Sequence, residues 1–337
     1  MKKYLIDPRK LWCKANFHCH TNISDGAFTP AEIKELYKKQ GYKIVAYSDH
    51  KVIVDNSYLC DDDFVALTAV EYNMEGGSWT ADKWQDTECI HLNLFAKDPH
   101  NTFHTACSVK NIDDWQYEKY KDTFRCDGYT RVFTLESINE TIKRANEAGF
   151  LVQYNHPNWS LNTQDLYLNL EGLWSVEILN YATEIESASD YCPYIYQQML
   201  DNGKKLFCSM GDDNHNYGKS LVGSFGGFNY VGVDKLSYGN VMNAMEKGDF
   251  YCSSGPQIHA LYIEGDRIFV ECDPAENIVF TSRKRRFTNY AGKGLTFAEF
   301  ALWDVKDFFR ITVCDGKGGR AHTRAYFADE IEKLCRS

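Results

Sequence analysis

From Cys13 to about Tyr251, short apolar runs alternate with amphipathic stretches, which predicts strands alternating with helices. "KANFHCH" (14–20) reads as a strand. "TPAEIKELYKKQG" (29–41) reads as a helix, with Thr29 at its N-cap, Pro30 at its first position and Gly41 just past its end. "YKIVAYSDH", "DFVALTAVEYN" and "CIHLNLFA" read as further strands. "TLESINETIKRANEAG" reads as a helix capped by Thr134 and ended by Gly149. The series continues with the strands "FLVQYNH" and "LWSVEILN", the helical "TEIESASDYCPYIYQQMLDNG" and the strand "KKLFCSMGDDNH". Such alternation predicts a parallel α/β architecture. The polar and aromatic stretch 98–131 breaks the rhythm and reads as an insertion covering one end of the sheet or barrel, a candidate lid.

After "CSSGPQ" (252–257) the pattern changes to short β-like runs. They are broken by turn signals at E-G-D, D-P, N-Y-A-G-K-G and D-G-K-G-G, with a short helix at "DEIEKLC". Two units are therefore expected: residues 1–255, and a small antiparallel, sandwich-like β domain over 256–337.

Composition narrows the function classes. A net charge of -10 argues against nonspecific nucleic-acid binding, while leaving room for a local pocket that takes a small anion. No apolar run approaches the roughly 18 residues of a membrane span, and Asp7 and Pro8 interrupt any leader-like segment, so a cytoplasmic location is expected. The twelve cysteines are scattered without a C-x-x-C pair, which points to reduced, mostly buried thiols.

The candidate chemistry lies in the histidines. On a strand, side chains at i and i+2 share a face, so His18 and His20 point together and Cys19 points behind them as a packed thiol. Two imidazoles so placed can converge on one ion. Alone the pair is a weak signal. However, His50, Glu71, His156, Asp213 and His215 all fall at or just past the ends of predicted strands, and His91 lies within one. In barrels and open parallel sheets those C-terminal ends share one rim, where active sites are built. His100, His104, His259 and His322 lie in the insertion or the tail and are read as background.

In order, H-x-H, S-D-G, S-D-H, a strand-end Glu, N-H-P and D-x-H resemble the polymerase and histidinol phosphatase (PHP) family across about residues 13–255. The tail opening at "SSGP" resembles the β domain of one metal-dependent phosphoesterase branch. The resemblance implies a distorted (β/α)7 TIM-like barrel of the PHP fold with two to three divalent metals at the strand ends. By that resemblance His18, His20, Glu71 and Asp213 bind the first metal. Glu71 bridges to a second, completed by His91 and His156, and Asp25, His50 and His215 hold a third. Nitrogen and oxygen donors without cysteine suit zinc, manganese or iron. The sequence departs from the family at "GDDNH", where Asp212 stands in place of a small residue. It is read either as an extra catalytic carboxylate beside Asp213 and Glu71 or as a solvated loop residue.

Clustered divalent ions ionise a water and neutralise charge on a phosphoryl group, so the expected activity is a metal-dependent phosphoesterase, a hydrolase. Its expected substrate is a phosphomonoester or phosphodiester of a small metabolite or nucleotide. The same centre could instead attack a carboxylic ester, carbamate or amide, and a non-catalytic binding protein is the third reading. Asp212 and Asp49 are candidates to assist the leaving group. Lys51 and Lys219 are candidate substrate cations, with solvated surface lysines as the bland alternative. Arg144 and the run "RKRR" (283–286) read as surface charge.

Overall fold

In the computed structural model, residues 2–77 and 87–336 are described. The first strands are β1 (Lys3–Ile6), β2 (Leu11–Asn16), β3 (Tyr42–Tyr47), β4 (Val65–Glu75) and β5 (Cys89–Ala96). They are followed by β6 (Phe150–Tyr154), β7 (Ser175–Asn180), β8 (Phe207–Gly211), β9 (Phe228–Val233) and β10 (Phe250–Ser253). The C-terminal strands are β11 (Ile258–Glu264), β12 (Arg267–Ser282), β13 (Phe287–Ala301), β14 (Phe308–Cys314), β15 (Arg320–Thr323) and β16 (Tyr326–Phe327). The first helices are α1 (Pro30–Lys39), α2 (Asp114–Tyr120), α3 (Leu135–Glu147) and α4 (Gln164–Asn169). The others are α5 (Tyr181–Ser187), α6 (Pro193–Asp201), α7 (Tyr238–Lys247) and α8 (Ala328–Arg336).

The result is a mixed α/β protein on one large sheet, ordered β1-β11-β12-β14-β15-β10-β9-β2-β3-β4-β5-β6-β7-β8. β2–β3–β4 and β6–β7–β8 run parallel, as the alternating pattern predicts. β5, however, is antiparallel to both β4 and β6. β9 is antiparallel to β2 and β10.

The sheet curls. Residues from β2, β3, β4, β5, β6 and β9 meet in a single apolar core, in which Phe17 lies 5.8 Å from Phe95 and 6.0 Å from Trp174, ring centre to ring centre. Past the strand ends, the backbones following β2 and β8 join directly. Asp213 N–H donates to His18 O (2.9 Å) and His20 N–H to Asn214 O (3.2 Å).

Several elements match the sequence residue for residue. Thr29 and Glu32 form a reciprocal capping box at the start of α1, whose Ile33 and Tyr37 are buried. Thr134 caps α3. Others differ. β2 ends at Asn16, so His18 and His20 stand just beyond it rather than within it. The helical run 183–203 is two helices. Left-handed Ala188 ends α5, Pro193 opens α6, and the link between them pairs with β7. D-P is no turn: Pro274 sits inside the 16-residue β12, at a register shift between Glu271 and Ala275. N-Y-A-G-K-G likewise lies within β13.

The N-terminal β1 pairs antiparallel with β11, and β10 pairs with β15, so hydrogen bonds link the chain on either side of position 255. All twelve cysteines are free thiols. No helix among the described residues is long and apolar enough to cross a membrane.

Candidate metal centre

Glu71, buried within β4, which runs four residues past the strand end expected at this position, is the hub of the site. Its Oε1 lies 3.3 Å from His18 Nε2, 3.1 Å from His91 Nδ1 and 3.2 Å from His156 Nε2. Its Oε2 lies 3.2 Å from both His20 Nε2 and His50 Nδ1. Asp213 closes the other side, with Oδ1 3.2 Å from His18 Nε2 and 2.9 Å from His20 Nε2. At the mouth, Asp25 Oδ2 lies 3.4 Å from His215 Nε2 and 3.9 Å from His50 Nε2, and its Oδ1 lies 3.7 Å from His20 Nδ1. All nine residues singled out as ligands from the sequence are thus brought into one cluster.

The donor set fits divalent ions. Two donors each about 2.1 Å from a shared tetrahedral ion stand about 3.4 Å apart, and the His18–Glu71, His18–Asp213 and His18–His20 nitrogen and oxygen separations are 3.2–3.3 Å. Ligand atoms converge in the sets His18, His20, Glu71, Asp213; His20, Asp25, His50, His215; and His50, Glu71, His91. Asp213 Oδ1 and His50 Nδ1 are buried without a hydrogen-bond partner, a costly arrangement in a site with no further occupant.

Charge in the cluster is strongly perturbed. Burial opposes protonation of His18, yet Asp213, Glu71 and Glu177 carry its pKa well above the ordinary imidazole value. His20 is raised to about 10, with Asp213 and Glu71 outweighing burial. His91 is likewise raised, Glu71 prevailing over burial. His50 goes the other way, to about 3, through burial and the neighbouring charges of His20 and His91. Burial would raise the Glu71 and Asp213 carboxyls, but the surrounding imidazoles hold both well below the usual range. Asp25 is lowered too: partial burial is overcome by His215, His50 and His20.

Buried groups around the cluster fix its members. Glu177, on β7, is fully buried and was not apparent from the sequence. Its Oε1 meets His18 Nδ1 at 3.1 Å, and its Oε2 accepts the His156 backbone N–H (3.1 Å) and Asn180 Nδ2 (3.1 Å). The one available signal was a carboxylate in the apolar strand "LWSVEILN". Asn180 also donates to Asp213 Oδ2 (2.9 Å), Asn155 to Glu71 Oε1 (2.8 Å), and Ser160 Oγ lies 3.1 Å from His156 Nδ1. Such partners orient ligands and set their basicity. Asp49 accepts from Thr21 N (2.7 Å) and Oγ1 (2.8 Å) and from Ser24 N (3.1 Å) and Oγ (2.8 Å), tying down the loop that carries His20 and Asp25. His156 (φ 24°) and Asp213 (φ 54°) hold left-handed backbone, which costs on the order of 1–3 kcal/mol each and persists only under such restraint.

The remaining candidates are placed as follows. Asp212 is wholly buried rather than solvated. It accepts from Tyr37 OH (2.8 Å) and from the N–H groups of Phe225, Gly226 and Gly227 (2.9 Å each). Burial pushes its carboxyl up to about 6 against the pull of those donors. Lys51 (φ 69°) lines a cavity of about 560 Å3 beside His50 and His91, and its Nζ pairs with Asp113 at 2.7 Å. Asp113, Trp115 and Gln116 of the 98–131 segment form part of the same wall. Lys219 is not on that wall; it lies 3.5 Å from Glu32 and over the Phe28 ring. Cys19 is buried in the core. His100, His104, His259 and His322 have partners elsewhere: Asp55, the Ile53 N–H, Asp273 and Tyr191. Arg144 pairs with Glu140 and Asp127, and residues 283–286 are an exposed turn.

No family model matches this sequence, and no curated protein matches it. Solved structures do. One is a two-domain protein from Bacteroides vulgatus ATCC 8482 containing a predicted PHP-like metal-dependent phosphoesterase. It has 13% identity and a TM-score of 0.44, over 94% of this chain and 96% of that one. Another, from Bifidobacterium adolescentis ATCC 15703, is provisionally named a metal-dependent phosphoesterase. It has 16% identity and a TM-score of 0.36, over 63% of this chain and 96% of that one. A third is an amidohydrolase from Chromobacterium violaceum with bound sulfate and no metal, at 16% identity and a TM-score of 0.38, over 60% and 87%. At such identities and scores, the chemistry of this chain rests on its own residues.

Proposed function

We propose that this chain is a metal-dependent hydrolase of PHP type that cleaves a phosphomonoester or phosphodiester of a small metabolite or nucleotide. Its frame is read as a distorted (β/α)7 barrel over residues 1–255 followed by a β domain over 256–337, with the 98–131 segment as a lid. The observation that carries the reading is Glu71, whose two oxygens face five imidazoles within 3.3 Å.

Two to three ions of zinc, manganese or iron held by His18, His20, Asp25, His50, Glu71, His91, His156, Asp213 and His215 would supply an ionised water and neutralise phosphoryl charge. The protein's share is placement. Glu177 and Asn180 hold His18 and Asp213 in register, and Asp49 fixes the loop of His20 and Asp25. Lys51, on the cavity wall, is the cation that meets the anionic end of a substrate. Asp212, with four donors on its two oxygens, anchors residues 225–227 to the site's floor.

The test is metal content by elemental analysis on protein purified without chelator, then hydrolysis of an aryl phosphate and an aryl carboxylic ester under the same metal. Bound metal, phosphate release and its loss on chelation are expected. Full phosphatase activity in His20→Ala or Asp213→Ala protein, or cleavage of the carboxylic ester alone, overturns the reading.

A further inference from the structure

A second group of metal-ligating side chains lies on the cavity wall, built by the antiparallel pairing of β4 and β5. In that register Glu75 stands directly opposite Cys89, and Asn73 opposite His91. Cys89 and His91 are two residues apart on one strand, so both point to the same face. That face looks into the cavity, which Asn73, Glu75, Cys89 and His91 all line. One ligand atom each from Glu75, Cys89 and His91 lies within 4.8 Å of the others. Asn73 Nδ2 donates to Glu75 Oε1 at 2.6 Å, which fixes the carboxylate much as outer partners fix ligands elsewhere.

We propose that Glu75, Cys89 and His91 form an auxiliary metal site with a thiolate ligand, distinct in chemistry from the nitrogen and oxygen centre beside it. Three protein ligands on a cavity wall leave a coordination position open. The sulfur makes the site softer than its neighbour, so it selects zinc or cadmium over manganese or magnesium. His91 is common to the two, since its Nδ1 also lies 3.1 Å from Glu71 Oε1. The site does not depend on the hydrolase reading: it needs only these three side chains and a thiophilic ion.

Cobalt(II) titration of the full chain tests it, because a thiolate bound to cobalt gives a charge-transfer band in the near ultraviolet and nitrogen or oxygen ligands do not. The wild-type protein is expected to show that band, and Cys89→Ser to lose it while keeping the visible bands of the histidine and carboxylate centre. Glu75→Gln, which keeps the thiol, is expected to raise the cobalt concentration for half-maximal band by about tenfold or more. Visible bands without a thiolate band in the wild type overturn the auxiliary site and leave the main centre standing. A thiolate band of unchanged intensity in Cys89→Ser places the sulfur on another cysteine and overturns it as well.

Discussion

Glu71 offers one carboxylate to five imidazoles, and no neighbour can take over that role, since Asp213 reaches His18 and His20 but stands 3.9 Å from His156. Glu71→Gln keeps the shape and removes the charge, so metal affinity is expected to fall by about 100-fold or more, read by elemental analysis after dialysis. Glu177 is not itself a proposed ligand but holds His18 Nδ1 and the His156 N–H, and the expected loss in Glu177→Gln is about 10–100-fold in metal affinity. Wild-type retention in either variant contradicts the geometry. Proton linkage gives a further check. The pKa values of His18, His20 and His91 are raised by the neighbouring carboxylates, that of His20 to about 10, whereas a divalent ion needs the bare nitrogen. Metal uptake should therefore expel protons, and affinity should weaken as the pH falls. Calorimetry in buffers of different ionisation enthalpy measures the count, and a count of zero rejects it. The ligands were legible because imidazoles at strand ends are unusual. Glu177 was not, being one acid in an apolar strand whose partners His18 and His156 are distant in sequence. Nor was the burial of Asp212, whose donors come from Tyr37 and residues 225–227.

At the scale of elements, the end of β8 shows how closely backbone must approach the site. A Cβ on Gly211 would sit 2.5 Å from Glu177 Oε1 and 2.6 Å from His18 Cβ. Gly211→Ala is therefore expected to destabilise the fold by about 1–3 kcal/mol and to displace His18, seen as a lower urea midpoint together with weaker metal binding. An unchanged midpoint would mean that the strand end can yield. Capping residues and apolar periodicity made α1, α3 and the parallel strands readable, since those signals are local. The antiparallel β5, the break between α5 and α6 and the long β12–β13 pair were not. Each depends on what a segment meets across the sheet, and Pro274 shows that a turn-forming dipeptide can sit in a strand when the register shifts around it.

At the scale of the whole molecule, β1 completes the sheet of the C-terminal strands and β15 flanks β10. A chain ending at Gly255 would leave β1 and β10 with unpaired edges and bare the apolar faces they cover. It is expected to aggregate or to melt without a cooperative transition, read by size-exclusion chromatography and circular dichroism. A monomeric, cooperatively melting product would show that the first 255 residues are self-sufficient. The tether across the cavity mouth has its own consequence. Lys51 is held by Asp113, and Gln116 Nε2 donates to His50 O at 2.9 Å, so the start of α2 is pinned to the residues that flank the ions' proposed seat. A dianionic guest that takes the Lys51 ammonium from Asp113 would make its own arrival and the release of this latch a single event. Occupancy would then be felt along the 98–131 stretch as faster backbone amide exchange, a signal of entry that precedes any bond being cut.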